Sequence, residues 1–446
     1  MTNPQVAGHP EKQHAFSPIP PAPMPTLAPQ RERRLLWLLA LTQFTIIMDF
    51  MVMMPLGPQI MHTFGIGPAA FATAVSAYSW CSGASGLLAA TYIDRFDRRR
   101  LLLVVYALFS LSNLACALAS TFPLLLAARA FAGLSGGVLG SVILAIVSDV
   151  IPPARRGAAT GVIMSSFALA AVAGVPIGIA LGAHLGWAAP FFLLAVLTAV
   201  FWLGARRTVP SLTQHLREGG DSLGRILGGL WQLLTHPHHL RAFVLTLVMM
   251  TAHMMVIPFI SPVLVANHGV APQDLSWLYV AGGAATFFTS RAVGRLADRY
   301  GRRRAFVVAA LLSCIPVLVM THLPDWPFVG MLLFFPCFMV ILSSRMVPMQ
   351  ALMTTVPAPQ VRGAFLSANS AVMSLGTGCG AWLGGLLLST GAGGHIDGYG
   401  VNGWVAVAAS LFCVLWVRNV KGSDAHRDPS MHAQRPASAQ NEAERA

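Results

Sequence analysis

Charge is what this chain has least of. Asp, Glu, Lys and Arg together make up 10% of its 446 residues, whereas 55% are hydrophobic and the mean hydropathy is +0.65. One water-soluble core cannot bury that much apolar surface, which excludes a soluble globular domain and leaves a polytopic membrane protein. The six cysteines, Cys81, Cys116, Cys314, Cys337, Cys379 and Cys413, include no CxxC pair and all fall in apolar runs. They are expected to be small packing residues, not disulfides or metal ligands. HExxH, paired intramembrane carboxylates and a serine with a plausible base are missing too. A membrane-embedded enzyme is therefore disfavoured, and neither metal nor cofactor is expected. Residues 1–30, rich in proline (Pro18, Pro20, Pro21, Pro23, Pro25), lead into the first apolar run without a small-residue cleavage pattern. That run is a retained span by this criterion.

What is present is a series of apolar runs of about 20 residues, the length that crosses a hydrocarbon core. They fall near 35–57, 71–93, 101–119, 123–148, 158–183, 187–205, 241–266, 275–297, 305–322, 327–352, 363–389 and 401–418. Arginine and lysine occupy every second connection: 94–100, 152–156, 206–240, 298–304, 354–362 and both ends of the span region. The alternate connections, from "PQIMHTFGIGPAA" to "STGAGGHIDGYGVNG", carry neither. The positive-inside rule then puts both termini in the cytoplasm of a multi-pass inner-membrane protein of bacterial type. The net charge of +13 could suggest nucleic acid, but the basic residues are scattered along one rim without a stacking platform. Anionic lipid headgroups are the expected partner, and no nucleic acid.

The hydrophilic stretch 206–240 splits the spans six and six, and the halves repeat. "YIDRFDRRRLLLV" aligns with "LADRYGRRRAFVV", Asp94 on Asp298, at an offset of 204; "PPARRGAATG" aligns with "APQVRGAFLS" at 206. Glycines four apart recur as Gly174, Gly178 and Gly182, beside Pro176, and as Gly376, Gly380 and Gly384, a spacing that lets helices approach closely. The expected fold is all-α: twelve transmembrane helices in two pseudo-symmetric six-helix bundles. The organisation is a disordered tail (1–30), an N-terminal bundle (31–205), a cytoplasmic linker (206–240), a C-terminal bundle (241–420) and a second tail (421–446). Such duplicated bundles hold their site between the halves near the midplane.

"GRLADRYGRRR" (294–304) resembles the loop signature of the major facilitator superfamily, G-x-L-A-D-R-x-G-R-R, at every position, and the resemblance extends over 35–420. The first-half copy, "ATYIDRFDRRR", has Ala90 and Asp97 in place of glycines. "RAFAGLSGG" is similar to the family's R-x-x-Q-G-x-G motif with Ala132 for Gln, and "GVPIG" is a looser match to an antiporter motif. Together these resemble the twelve-span drug:proton antiporter branch, near bacterial arabinose and chloramphenicol exporters. The resemblance implies a monomeric, proton-coupled exporter of small amphipathic or drug-like molecules. The alternative is a proton symporter or facilitator importing a sugar or organic acid. A sensor would lack an output domain.

It also implies a cytoplasmic latch built from Asp94, Arg95, Arg98, Asp149, Gly294, Asp298, Arg299, Gly301 and Arg302. Asp94 and Asp298 are expected to end their helices and accept from helix N-terminal amides, with Asp149 the acid for Arg98 or its neighbours. Because Asp97 already breaks the signature, Asp97→Gly is expected to be tolerated.

One acid stands apart. Asp49 is the only one of 16 lying more than about two turns inside a span. The 204 offset lays "DFMVMMPLGP" (49–58) on "HMMVIPFISP" (253–262), so that Asp49 falls on His253. Helical rise puts Arg129 about 9 Å and Asp49 about 12 Å from the same membrane face, close enough for an ion pair. Asp49, Arg129 and His253 are the expected proton-coupling groups. Gln43, Tyr78, Trp80, Asn113, Gln350 and Asn369 could line the path. Arg291 and Arg345 lie within about 12 Å of the inner face, near enough to snorkel, with Arg345 kept as a path residue.

Overall fold

The computed structural model describes residues 28–152, 155–213, 223–358 and 361–422. The tails assigned to 1–30 and 421–446 lie almost wholly outside these residues. The first half contains α1 (Pro29–Val52), α2 (Gly57–Phe64), α3 (Pro68–Tyr92), α4 (Arg98–Ala117), α5 (Phe122–Val150), α6 (Arg156–Leu169), α7 (Val175–Leu185) and α8 (Ala189–Thr208). After α9 (Leu223–Thr235), the second half contains α10 (Pro237–Met254), α11 (Ile260–His268), α12 (Leu275–Tyr300), α13 (Arg302–Thr321), α14 (Phe328–Ser344), α15 (Met346–Met353), α16 (Arg362–Leu386) and α17 (Tyr399–Trp416). A short antiparallel hairpin pairs β1 (Ser389–Thr390) with β2 (Ile396–Asp397). Apart from α9, these helices trace two bundles of six passes, the first, fifth, seventh and tenth passes each made of two helices. Among the described residues nine segments are long and apolar enough to cross a membrane, or ten if the bent pair α2–α3 is one span. The long helices α12 and α16 complete the passes at lower apolarity.

The broken passes follow from proline. Pro55 and Pro58 remove two amide donors just beyond Val52, and Pro258 and Pro262 do the same beyond Met254. Each broken pass then ends on a left-handed glycine, Gly65 at φ 60° and Gly269 at φ 63°, which stand 204 residues apart like the sequence repeat. The first pass therefore reaches Phe64, not residue 57, and most of the stretch expected as a loop is helix α2. Its proline pair and polar Gln59 and His62 hide that continuation from an apolar count. The linker is likewise shorter than 206–240: α8 runs to Thr208, α10 starts at Pro237, and α9 lies between them.

Glycines seat the first pass of each half. A Cβ on Gly174, Gly178 or Gly182 would meet Met48, Val52 or Leu56, one helical turn apart along the first pass. On α16, Gly376, Gly380 and Gly384 meet the backbone oxygens of Leu247, Thr251 and Met255 on the seventh. The two halves touch along α3 and α16, where Ser76 Oγ donates to Gly378 O at 2.9 Å, and along the fifth and eighth passes, where Gly283 faces Ala171 O.

Both described ends emerge on one side of the molecule, the terminal face. On the far side a single apolar core joins the halves, with Met53, Leu56, Ile60 and Phe71 packed among the same cluster as Val256, Phe259, Ile260 and Val263. Toward the terminal face each half keeps a core of its own, Leu39, Tyr106 and Ile146 in one, Phe243, Phe306 and Phe365 in the other. On the far side the second half is also braced internally by polar clasps. Asn267 Nδ2 donates to Ile396 O and its Oδ1 accepts from Ile396 N, at 2.9 and 2.8 Å. Carbonyls freed by the break in the seventh pass are met from α17: Asn402 Nδ2 donates to Met255 O and Tyr399 Oη to Val256 O, both at 3.0 Å.

Candidate functional site

Asp49 occupies the last turn of α1, and Arg129 the second turn of α5. Arg129 Nη1 donates to Asp49 Oδ1 at 2.7 Å, and both side chains are 0% exposed. The Tyr78 ring of α3 lies under the guanidinium at 4.4 Å from its centroid, and Phe191 of α8 at 5.8 Å. Tyr78 Oη donates to Ile46 O at 3.4 Å. This pair is incompletely satisfied, for Asp49 Oδ2 and Arg129 Nε and Nη2 have no hydrogen-bond partner among the described residues. A buried ion pair with spare capacity is costly to keep for stability alone. On α4 buried Asn113 donates from Nδ2 to Phe109 O at 3.0 Å, while its Oδ1 has no partner among the described residues. Gln43 is half-buried on α1.

The second half holds a different pair. His253 on α10 does not join Asp49; its Nδ1 accepts from Arg345 Nη2 at 3.3 Å. Arg345 stands at the break between α14 and α15 and is 1% exposed, so it does not snorkel to the membrane surface as its depth suggested. Helical rise gives depth along an axis but not which way a side chain turns, and here the break turns it inward. Serines in otherwise apolar runs, Ser313 and Ser410, were the available signal: Arg345 Nη1 donates to both, at 3.2 and 3.1 Å. Asn369 Oδ1 accepts from Thr246 Oγ1 at 2.8 Å, which ties α16 to α10. Trp80 packs over Gly378 and lies 6.1 Å from Trp382 at the α3–α16 contact. Arg291 is exposed.

Among the described residues, the latch ion pairs are assembled in the first half only. Arg98, 4% exposed, donates to Asp94 at 2.5 Å and to Asp149 at 2.9 Å. The carboxylate that accepts from backbone amides is Asp97, not Asp94. Asp97 caps α4 through Arg99 N and also accepts from Leu212 N and Ser211 Oγ, each at 3.0 Å. Asp97 is thus the anchor of the segment after α8, a role that the signature's glycine could not fill. In the second half Gly301 takes φ 88°, as its residue type allows. Asp298 does not end its helix, which runs on to Tyr300; it is exposed and forms no ion pair among the described residues. Arg302 donates to Ala351 O at 3.1 Å, Arg299 lies over the Tyr300 ring, and Gly294 has open space around it. Arg95 is exposed.

The family model described as Major Facilitator Superfamily matches residues 39–252 and again 242–443. Among solved structures, the chain is similar to a bacterial homolog of the human lysosomal transporter Spinster, captured inward-facing and unoccupied. That match has a TM-score of 0.70 at 17% identity, covering 88% of this chain and 97% of the other. A D-xylose-proton symporter gives 0.71 at 16%, covering 88% and 99%, and a human organic anion transporter gives 0.66 at 16%, covering 88% and 100%. At such identity the likeness is one of fold.

Proposed function

Because the chain belongs to the major facilitator superfamily, a family of membrane transporters and not of enzymes, we propose that it exports small amphipathic, drug-like molecules in exchange for protons. The observation that carries this reading is the fully buried Asp49–Arg129 pair. While ionised, the carboxylate holds the guanidinium; when it takes a proton the electrostatic hold is released and the pair becomes a neutral acid beside a free cation. Proton and solute then compete for one arrangement of the first half, which is what exchange requires.

Alternating access supplies the rest. The shared far-side core and the separate cores at the terminal face support a state closed outside and open inside, the terminal face being cytoplasmic by its arginines. In this reading the protein works as a monomer in a bacterial inner membrane, with anionic headgroups against that arginine rim.

The test is substrate-induced proton release from purified protein in detergent, using solutes first identified by accumulation in energised inverted vesicles. Wild type releases a proton on binding, whereas Asp49→Asn binds without release and loses uphill export, since an amide mimics the protonated acid and cannot cycle. Release that persists in Asp49→Asn refutes the assignment.

A further inference from the structure

Arg345 is a cation buried without a counter-ion among the described residues. Its neighbours are all neutral: Ser313 and Ser410 accept from Nη1, and His253 Nδ1 accepts from Nη2. Both serine hydroxyls spend their own protons on carbonyls of their helices, Ala310 O and Ala406 O at 2.8 Å. The remaining titratable side chains facing Arg345 are the thiols Cys314 on α13 and Cys413 on α17; no carboxylate reaches it among the described residues. Its contacts of 3.1–3.3 Å are long for a charged donor, and Nε has no hydrogen-bond partner among the described residues. Nε and Nη2 share one edge of the guanidinium, the edge that grips a carboxylate side-on with two parallel hydrogen bonds. That edge holds only the weak contact to His253.

Internal symmetry says what is missing there. In the first half an arginine from the fourth pass meets a carboxylate on the first pass. In the second half an arginine from the tenth pass meets the first pass of its own repeat at the residue aligned with Asp49, and that residue is His253. Arg345 is not the repeat-mate of Arg129: at the 206-residue offset that relates the start of α5 to the start of α14, Arg129 falls on Phe335, a buried core residue. The cation has been supplied from another depth, and no acid for it is supplied among the described residues. His253 is only half-buried and, as a neutral ring on a single weak bond, can yield its place.

We propose that Arg345, with His253 as a displaceable guard, is a solute-binding subsite that takes the carboxylate of an organic anion or zwitterion. The proposal rests on the transport reading and narrows its solute class to molecules with one carboxylate on an apolar body. The full chain in detergent is titrated with sodium acetate, benzoate and 1-naphthoate, with benzamide and sodium chloride as controls, reading calorimetric affinity and the shift in unfolding temperature. Benzoate and naphthoate bind, while benzamide and chloride at equal concentration do not. Arg345→Gln weakens benzoate by about tenfold or more, the loss of a charge-assisted hydrogen-bonded grip. If that variant does not fold, Arg345→Lys keeps the charge but loses the side-on fork, and still weakens benzoate severalfold. Failure of all three carboxylates to bind wild type, or unaltered binding in the folded Arg345 variant, overturns the subsite. A shift from chloride equal to that from benzoate assigns the place to free inorganic anions and overturns the solute assignment. The readout needs no gradient: carboxylate binding without Asp49-dependent proton release refutes only the exchange reading, and the reverse result refutes only this one.

Discussion

Arg129 and Asp49 neutralise each other at zero exposure, so removing one alone is the informative change. Arg129→Ala leaves a buried carboxylate without its cation and costs about 3–5 kcal/mol, whereas Asp49→Asn with Arg129→Gln, which removes both charges, recovers most of it. Thermal unfolding in detergent reads this directly. A double variant no more stable than Arg129→Ala would mean that the pair is not held by charge. Asp97 is the second residue whose part is now sharper. Three hydrogen bonds converge on it, so Asp97→Gly is not the tolerated change that its place in the signature suggests. It loses only a few tenths of a kcal/mol, roughly, from the cap, since glycine is itself a tolerated N-cap, but it frees the segment at Ser211 and Leu212, while Asp97→Asn keeps an acceptor and stays near wild type. Equal unfolding temperatures for the glycine and asparagine variants would remove the anchor role.

At the scale of elements, the two glycine ladders are not equivalent. On the fifth pass, a methyl at Gly178 presses on a Val52 side-chain methyl; on α16, a methyl at Gly380 presses on the Thr251 backbone oxygen. Side chains can change rotamer and backbone cannot. Gly380→Ala therefore costs about 1–3 kcal/mol, the usual range for overpacking, and Gly178→Ala costs less. Gly161, with nothing within 4 Å of a Cβ, accepts alanine without loss. Unfolding temperatures of the three variants should fall in that order, and a Gly178 variant worse than Gly380 would reverse the comparison. The break in the seventh pass gives a further case. Asn402→Leu deprives Met255 O and Gly384 O of their side-chain donor, at about 1–3 kcal/mol for each carbonyl left unsatisfied, and loosens the second half on the far side. Amide exchange around residues 255–259 should rise in that variant and not in one altered on the terminal face.

For the whole molecule, the asymmetry of the latch carries the prediction. Arg98 bridges Asp94 and Asp149 in the first half, whereas Asp298 stands exposed beside a terminal face where the cores are separate. Asp298→Asn should leave unfolding temperature unchanged in this state. It should slow transport by about two- to fivefold, because an interaction of about 0.3–1 kcal/mol between this carboxylate and the N-terminus of a facing helix is missing only when the face closes. Unaltered transport would count against a closing role for Asp298; a lowered unfolding temperature would mean that it already stabilises the open state.

Much of this was legible in one dimension. Apolar run length, the alternation of arginine between connections and the 204-residue repeat follow from solvation and duplication, which act on local composition, so span number and the pairing of Asp49 with His253 as repeat-mates needed no coordinates. The shared depth of Asp49 and Arg129 was computable because helical rise is constant. Three things required the tertiary structure. Continuation of the first pass beyond its prolines to Phe64 depends on Gly65 closing a helix that composition cannot distinguish from a loop. The anchoring of residues 211–212 on Asp97 joins segments more than a hundred positions apart. The inward turn of Arg345 depends on a break between α14 and α15, because direction around a helix axis is set by packing against neighbouring helices, which no local pattern encodes.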